Sequence, residues 1–313
     1  MKKFSQIIIF ITVLFSAALQ GSSQSNVVLV RKWGEFGNKP GQLKFPAMIA
    51  KDQASNVYVV DQHNHRIQKF DSEGNFILMW GKLGTAAGDF NYPYGIAVDS
   101  KGNVFVSDMN NNRIQKFLPN GEYVSSVGSY GTENGQLKYP YGIAIDGKDV
   151  LYVIDAFNYR VQKFTTNLQF IEKWGSAESI GIKLYMPHEI AITKEGNVIM
   201  SDRQNHRVAV FTPGGNLVKR WGDYGEGTDA KGGQFSEPHG IAVSADGEMY
   251  ISDRYNFRIQ KFDSKGNYQL QWLASGIFDD SKSFPLGIVT GKDNNIYVTD
   301  HYAHCILQYK IIQ

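Results

Sequence analysis

The chain has 313 residues, 42% of them apolar, 13% aromatic and 20% charged, with a formal net charge of +2. Residues 1–25 carry only Lys2 and Lys3, so the rest sets 30 basic residues (32 less those two) against 30 acidic ones. That balance excludes a globally basic nucleic-acid binder, whose affinity rests on phosphate neutralisation. The apolar content excludes a disordered chain.

Residues 1–25 read as an export signal. Lys2-Lys3 give a positive start, Ile7 to Phe15 an apolar run broken only by Thr12, and Ala17-Ala18 and Gly21-Ser22-Ser23 the small residues that cleavage needs. The run is short of the roughly 20 residues of a membrane span, so cleavage is expected rather than anchoring. The folded part is then 26–313, secreted or periplasmic and not membrane-spanning. A single cysteine, Cys305, allows no internal disulfide. Packing and strand pairing must supply the stability.

A proline opens an apolar run at Pro46, Pro93, Pro140, Pro187, Pro238 and Pro285, at spacings of 47, 47, 47, 51 and 47. An aspartate closes the next run at Asp61, Asp108, Asp155, Asp202, Asp253 and Asp300, with the same spacings. Two markers in one register define a repeat. In the second unit Tyr94–Asp99, Val104–Asp108, Arg113–Phe117 and Glu122–Val127 read as four strands separated by Gly/Asn turns, and no stretch has helical periodicity. Four short antiparallel strands per unit are a propeller blade. The spacings predict an all-β six-bladed β-propeller. The four extra residues behind the 51-residue interval are expected in 223–232.

The sixth unit shows three strands (286–290, 296–300, 306–310) and then stops. Val27–Gly34 matches the fourth strands 76–81, 170–175 and 217–222. The N-terminal strand is therefore expected to complete blade six.

The segments Asn64–Phe70, Asn111–Phe117 and Asn256–Phe262, with the Pro-x-Gly-Ile-Ala-Val openings and the Gly-Gln-Leu or Gly-Gln-Phe lead-ins, resemble the NHL repeat. The resemblance covers about 26–310. It is specific for fold and far less so for function. It implies one of several tasks: RNA or protein binding as in tripartite-motif ubiquitin ligases, sensing as in bacterial receptor kinases, or the zinc-dependent peptidyl-hydroxyglycine lyase reaction. No RING, B-box, kinase or transmembrane segment accompanies this repeat.

Residues that recur in every blade are expected to hold the fold. The pairs Asp61/Arg66, Asp108/Arg113, Asp155/Arg160, Asp202/Arg207 and Asp253/Arg258 flank the second turn and read as structural ion pairs. Blade six breaks the pattern with Asp300-His301-Tyr302-Ala303-His304-Cys305. A relaxed turn is the first reading, and a reshaped wall or a metal site at His301 and His304 the second.

Function is expected where the repeat is broken. The slot after the proline holds Ala47, Tyr94, Tyr141, His188, His239 and Leu286; the slot after the aspartate holds Gln62, Met109, Ala156, Arg203, Arg254 and His301. Both belong to one face, and all seven histidines should lie on it. Tyr94, Tyr141, His188, Arg203, His239, Arg254 and His301 are the candidate ligand-binding residues. They suit a ligand with an apolar body and an anionic group, unless the rim is merely polar and water-filled.

Three functions remain open. The first is a non-enzymatic binding module, expected to be monomeric, for a protein, peptide, glycan or small anionic ligand, with no nucleic acid and no catalytic residue. The second is a zinc lyase. Pro187-His188-Glu189 and Pro238-His239-Gly240 resemble the lyase's metal-ligand segments, and Glu189 stands where that family has a carboxylate tied to a structural calcium. A catalytic zinc needs three protein ligands, and two Pro-His segments leave the set incomplete unless His301 joins, so no cofactor is expected. The third is an envelope scaffold.

Overall fold

A computed structural model describes residues 26–175, 183–274 and 283–312; the export-signal segment 1–25 lies outside them. Six four-stranded antiparallel sheets surround a central channel. Blade 1 comprises Pro46–Lys51, Val57–Asp61, Arg66–Phe70 and Phe76–Trp80. Blades 2 to 5 repeat this order from Pro93, Pro140, Pro187 and Pro238. In blade 6 the strands Pro285–Thr290, Asn295–Asp300 and Cys305–Ile312 are joined by Asn26–Trp33, which pairs antiparallel with the last of them from Asn26↔Ile312 to Trp33↔Ile306. The expected clasp closes the ring.

The first strand of each blade is innermost and touches the first strands of both neighbours around the circle. Its alternating apolar residues pack between blades, so the core is six interblade layers rather than one centre. Tryptophans that end the fourth strands mortar the outer gaps. Trp174 lies over Gly215 of the next blade, at φ +89°, where a Cβ would come within 2.5 Å of the indole. Glycine is thus required there twice, for its conformation and for the room it leaves.

In blades 1 to 5 the turn between second and third strands is a single 3-10 turn ending in a left-handed residue, such as Gln62–Asn64 with His65 at φ 53°. The left-handed residue is the one after the recurring asparagine, which itself bonds the aspartate as Asn64 does Asp61; His65, Asn112 and His206 occupy the left-handed position. The expected ion pairs form in five blades at 2.6–2.8 Å. Asp155 shows why they recur. Fully buried, it accepts the Lys138 backbone N–H, Asn158 Nδ2, Arg160 Nε and Gln162 Nε2. Arg160 in turn donates to the carbonyls of Thr132, Glu133 and Gln136 in the lead-in loop. One pair therefore ties three segments together. In blade 6 Ser283 Oγ replaces the arginine on Asp300, at 2.7 Å.

Lead-in loops carry a parallel bridge seven residues apart, as in Phe36↔Leu43, Leu83↔Phe90 and Tyr130↔Leu137; before blade 5 the bridge is Tyr224↔Phe235, eleven apart. The four extra residues lie inside that loop.

Candidate functional site

Each blade's proline lies opposite the aspartate that ends its second strand, for example Pro187↔Asp202. The slots after proline and after aspartate therefore share one face, as expected. The turn histidines are accounted for locally. His65 Nδ1 accepts the Tyr92 N–H, His206 Nδ1 the Glu237 N–H and His304 Nδ1 the Phe45 N–H, at 3.1–3.2 Å. Each staples its blade to the next.

Tyr94, Tyr141, His188 and His239 meet at the axis. They fill the mouth instead of lining it, and Tyr94, His188 and His239 are buried. Tyr141 stacks on His188 at 4.5 Å and 29°, and the two histidine rings lie 4.3 Å apart. The reason is volume: four rings projecting from adjacent inner strands exceed the opening, so they pack on one another.

Their polar atoms form one ordered chain. Arg203 Nη1 lies 3.0 Å from His188 Nε2. A guanidinium only donates, so Nε2 accepts and the proton of neutral His188 sits on Nδ1. That proton points at the Tyr94 hydroxyl 2.9 Å away, and the hydroxyl proton then goes to His239 Nδ1 at 3.2 Å. Burial above all, with Arg203 and Arg254 adding repulsion, holds His188 well below the usual histidine range; burial and then His188 do the same for His239. Burial holds Tyr94 well above the usual phenol range.

Above this plug is a charged rim. Glu237 Oε2 accepts from Arg203 Nε and Nη2 at 2.6 and 2.5 Å and lies 3.8 Å from Arg254 Nη1. Two guanidiniums share one carboxylate, leaving one positive charge. Arg254 also lies over the rings of Tyr255 and Phe284, at 5.0 and 5.5 Å, and its buried Nε has no partner among the described residues. His301 stands apart from this cluster. Its Nδ1 lies 3.1 Å from the Pro46 carbonyl, Phe45 packs against it, and burial lowers its pKa to about 4.

One feature escaped the sequence reading. The residue before each proline is Phe45, Tyr92, Tyr139, Met186, Glu237 or Phe284, and the first five adopt left-handed φ of 51–55°. This slot supplies both Glu237 and a wreath of rings, including the pairs Tyr139–Phe157 and Phe284–Tyr302. Tyr139, Phe157 and Tyr302 are 36–42% exposed. Comparing blades at that slot would have marked Glu237 as the odd residue. Glu189, singled out in the sequence by its likeness to a calcium-linked carboxylate, stands where four other blades have glycine.

The lyase resemblance implies zinc at the Pro-His segments. His188 is engaged at both nitrogens, two arginines crowd the pair, and His301 faces a carbonyl instead. Among the described residues no three His, Cys, Asp or Glu side chains converge. These residues do not fit a three-ligand zinc. Calcium fits better. Glu189 is buried, its Oε2 has no partner among the described residues, and burial pushes its pKa up to about 8. It borders a central channel of about 230 Å³ walled by all six inner strands, each with one open hydrogen-bonding edge. Calcium would supply a positive charge to Glu189 there, and oxygen donors suit it.

The NHL repeat family profile matches residues 90–117, 235–262 and 283–309. The protein brain tumor of Drosophila melanogaster is 36% identical over 69 residues, 22% of this chain and 7% of that one, so the likeness spans a small fraction of the relative. A streptogramin B lyase structure superposes with a TM-score of 0.63 at 14% identity, covering 93% of this chain and 100% of the other. A gluconolactonase from Xanthomonas campestris does so with a TM-score of 0.65 at 14% identity, covering 87% and 88%. At such identities the likeness to both enzymes is one of fold. Repeat register and closed ring agree with the family match: the chain is a six-bladed β-propeller that carries NHL repeats.

Proposed function

We propose that the protein is a binding module whose proline-side face takes a polypeptide partner carrying a carboxylate. One observation carries this reading: a wreath of half-exposed rings surrounds a rim with one uncompensated positive charge. Exposed aromatics and arginine are the side chains that dominate protein interfaces. Arg254 is the anchor, since Glu237 lies 2.5 Å from Arg203 but 3.8 Å from Arg254, leaving the Arg254 guanidinium the less compensated of the two. The buried chain from Arg203 to His239 supports the rim from below. The export-signal pattern of residues 1–25 supports binding outside the cytoplasm, and N-terminal sequencing of the exported protein tests that.

Panning a random peptide library against the full chain tests the binding. Selected peptides should carry an acidic residue next to apolar ones. Arg254→Ala should weaken them about tenfold or more, because a charge-assisted bond is worth roughly 1.5–3 kcal/mol, and Phe157→Ala should weaken them too. Peptides that bind both variants as well as wild type would refute the reading.

A further inference from the structure

The face away from the prolines holds a second break in the repeat. In blades 1, 2, 3 and 5 a third-strand lysine lies directly across from a second-strand aromatic: Lys69 and Tyr58, Lys116 and Phe105, Lys163 and Tyr152, Lys261 and Tyr250. Each ammonium stands 4.8–5.9 Å over its ring. The tyrosine hydroxyls bond carboxylates of the nearby turns, Asp52, Asp146 and Glu248. Lys69 and Lys116 reach on to carbonyls of the next blade, those of Pro119 and Thr166. Ring, ammonium and carboxylate thus seal the gap between neighbouring blades.

Blade 4 lacks all three. Ile199 faces Val210, and Thr193 begins the turn that Asp52, Asp99 and Asp146 begin in blades 1 to 3. A cavity of about 470 Å³ opens at this point between blades 4 and 5. Ile199, Val210 and Met249 are buried at its floor and Val218 forms one side. Lys219, directly across from Val210 on the fourth strand, reaches the Ser264 carbonyl of blade 5 at 3.1 Å. The lysine has moved one strand outward, and the space beneath it is hollow.

We propose that this cleft binds a small aromatic monocarboxylic acid, its ring laid against the exposed Val218 above the Ile199 and Val210 floor and its carboxylate on Lys219. The volume suits a small molecule. Blades 1, 2, 3 and 5 show what the same space accepts, a ring beside an ammonium. Lys219 has three N–H donors, one of them engaged by Ser264, so two remain for a carboxylate. Burial lowers the Lys219 pKa, the mark of a cation short of solvent that gains from an anion. Glu195 and Asp246 at the exposed rim, countered by Lys194, select against a polyanion.

The test titrates the full chain with 2-naphthoate, followed by fluorescence and calorimetry, beside the neutral 2-naphthylmethanol. Saturable one-to-one binding of naphthoate is expected, with the alcohol about tenfold weaker for want of the charge-assisted bond. Lys219→Met should erase that preference. The triple variant Thr193→Asp, Ile199→Tyr, Val210→Lys rebuilds the missing cluster. It should melt no earlier than wild type and lose naphthoate. Should it fail to fold, Ile199→Phe fills the floor with a single ring and is expected to block binding in its place. Arg254→Ala, on the opposite face, should leave naphthoate binding unchanged, so this outcome stands apart from that of the peptide experiment. Wild type showing no saturation, or the filled variants binding naphthoate undiminished, overturns the proposal.

Discussion

Arg203 fixes the tautomer of His188. Its Nη1 sits 3.0 Å from His188 Nε2 and has only protons to offer, so the imidazole must accept there and donate at Nδ1. The direction of every hydrogen bond down to His239 follows from that one contact.

Tyr94→Phe removes the middle of the chain and leaves two buried histidine nitrogens facing a hydrocarbon. We expect a loss of about 1–3 kcal/mol, the usual result of orphaning buried polar groups. Urea unfolding monitored by tryptophan fluorescence measures it. A change within a few tenths would mean that the rings alone hold the plug.

Stability should rise and then fall with pH. His188, His239 and His301 have native pKa values depressed by burial. The unfolded chain takes up their protons near pH 6.5 while the native state refuses them, so stability drops as pH falls below about 6.5. Glu189 works in the opposite sense. Raised to about 8, it is native in its protonated form, so its contribution is whole below the unfolded carboxyl value and lost as pH rises through 8. Each fully shifted proton contributes about 1.4 kcal/mol per pH unit. Urea midpoints at pH 5, 6.5 and 8 should peak at the middle value, and Glu189→Gln should flatten the alkaline side.

Arg160→Ala should cost about 3–5 kcal/mol, because it strands the buried Asp155 carboxylate as well as three loop carbonyls. Thermal melting reads the loss. A melt indistinguishable from wild type would show that Asn158 and Gln162 suffice to hold Asp155.

Deleting residues 26–34 removes the outer strand of blade 6. The exposed edge of Cys305–Ile312 should end two-state unfolding. Fluorescence and circular dichroism transitions that still coincide, at the wild-type midpoint, would show that the ring does not depend on its clasp.

The fold was legible because it is written six times. Prolines, aspartates and turn glycines sit in one register, and the missing fourth strand of blade 6 pointed to Val27–Gly34 as its replacement. The Asp155–Arg160 pairing was legible for the same reason. The site was legible only in part. Comparing blades slot by slot picked out Tyr94, His188, His239 and the two arginines, but neither ring volume nor the depth of the slot can be read from spacing, so a plug was taken for a mouth. Glu237 and the aromatic wreath were missed because only the slots after the proline and the aspartate were compared; the slot before the proline recurs in the same register, but its left-handed backbone and outward direction are not visible in spacing. The Tyr58–Lys69 pairing was within reach, since the turn that sets Asp61 against Arg66 also fixes the register outward from it.

The strands that seal the circle lie at residues 26–33 and 305–312. Five sheets can assemble in order as the polypeptide emerges, while the earliest strand must wait for the latest. At synthesis rates of about 5–20 residues per second, that delay is roughly a quarter of a minute to a minute. Throughout it an unpaired β-edge bearing Val28 and Val30 is open to other chains. A protein joined at a single seam thus depends, before it closes, on something to shield the strand that closes it.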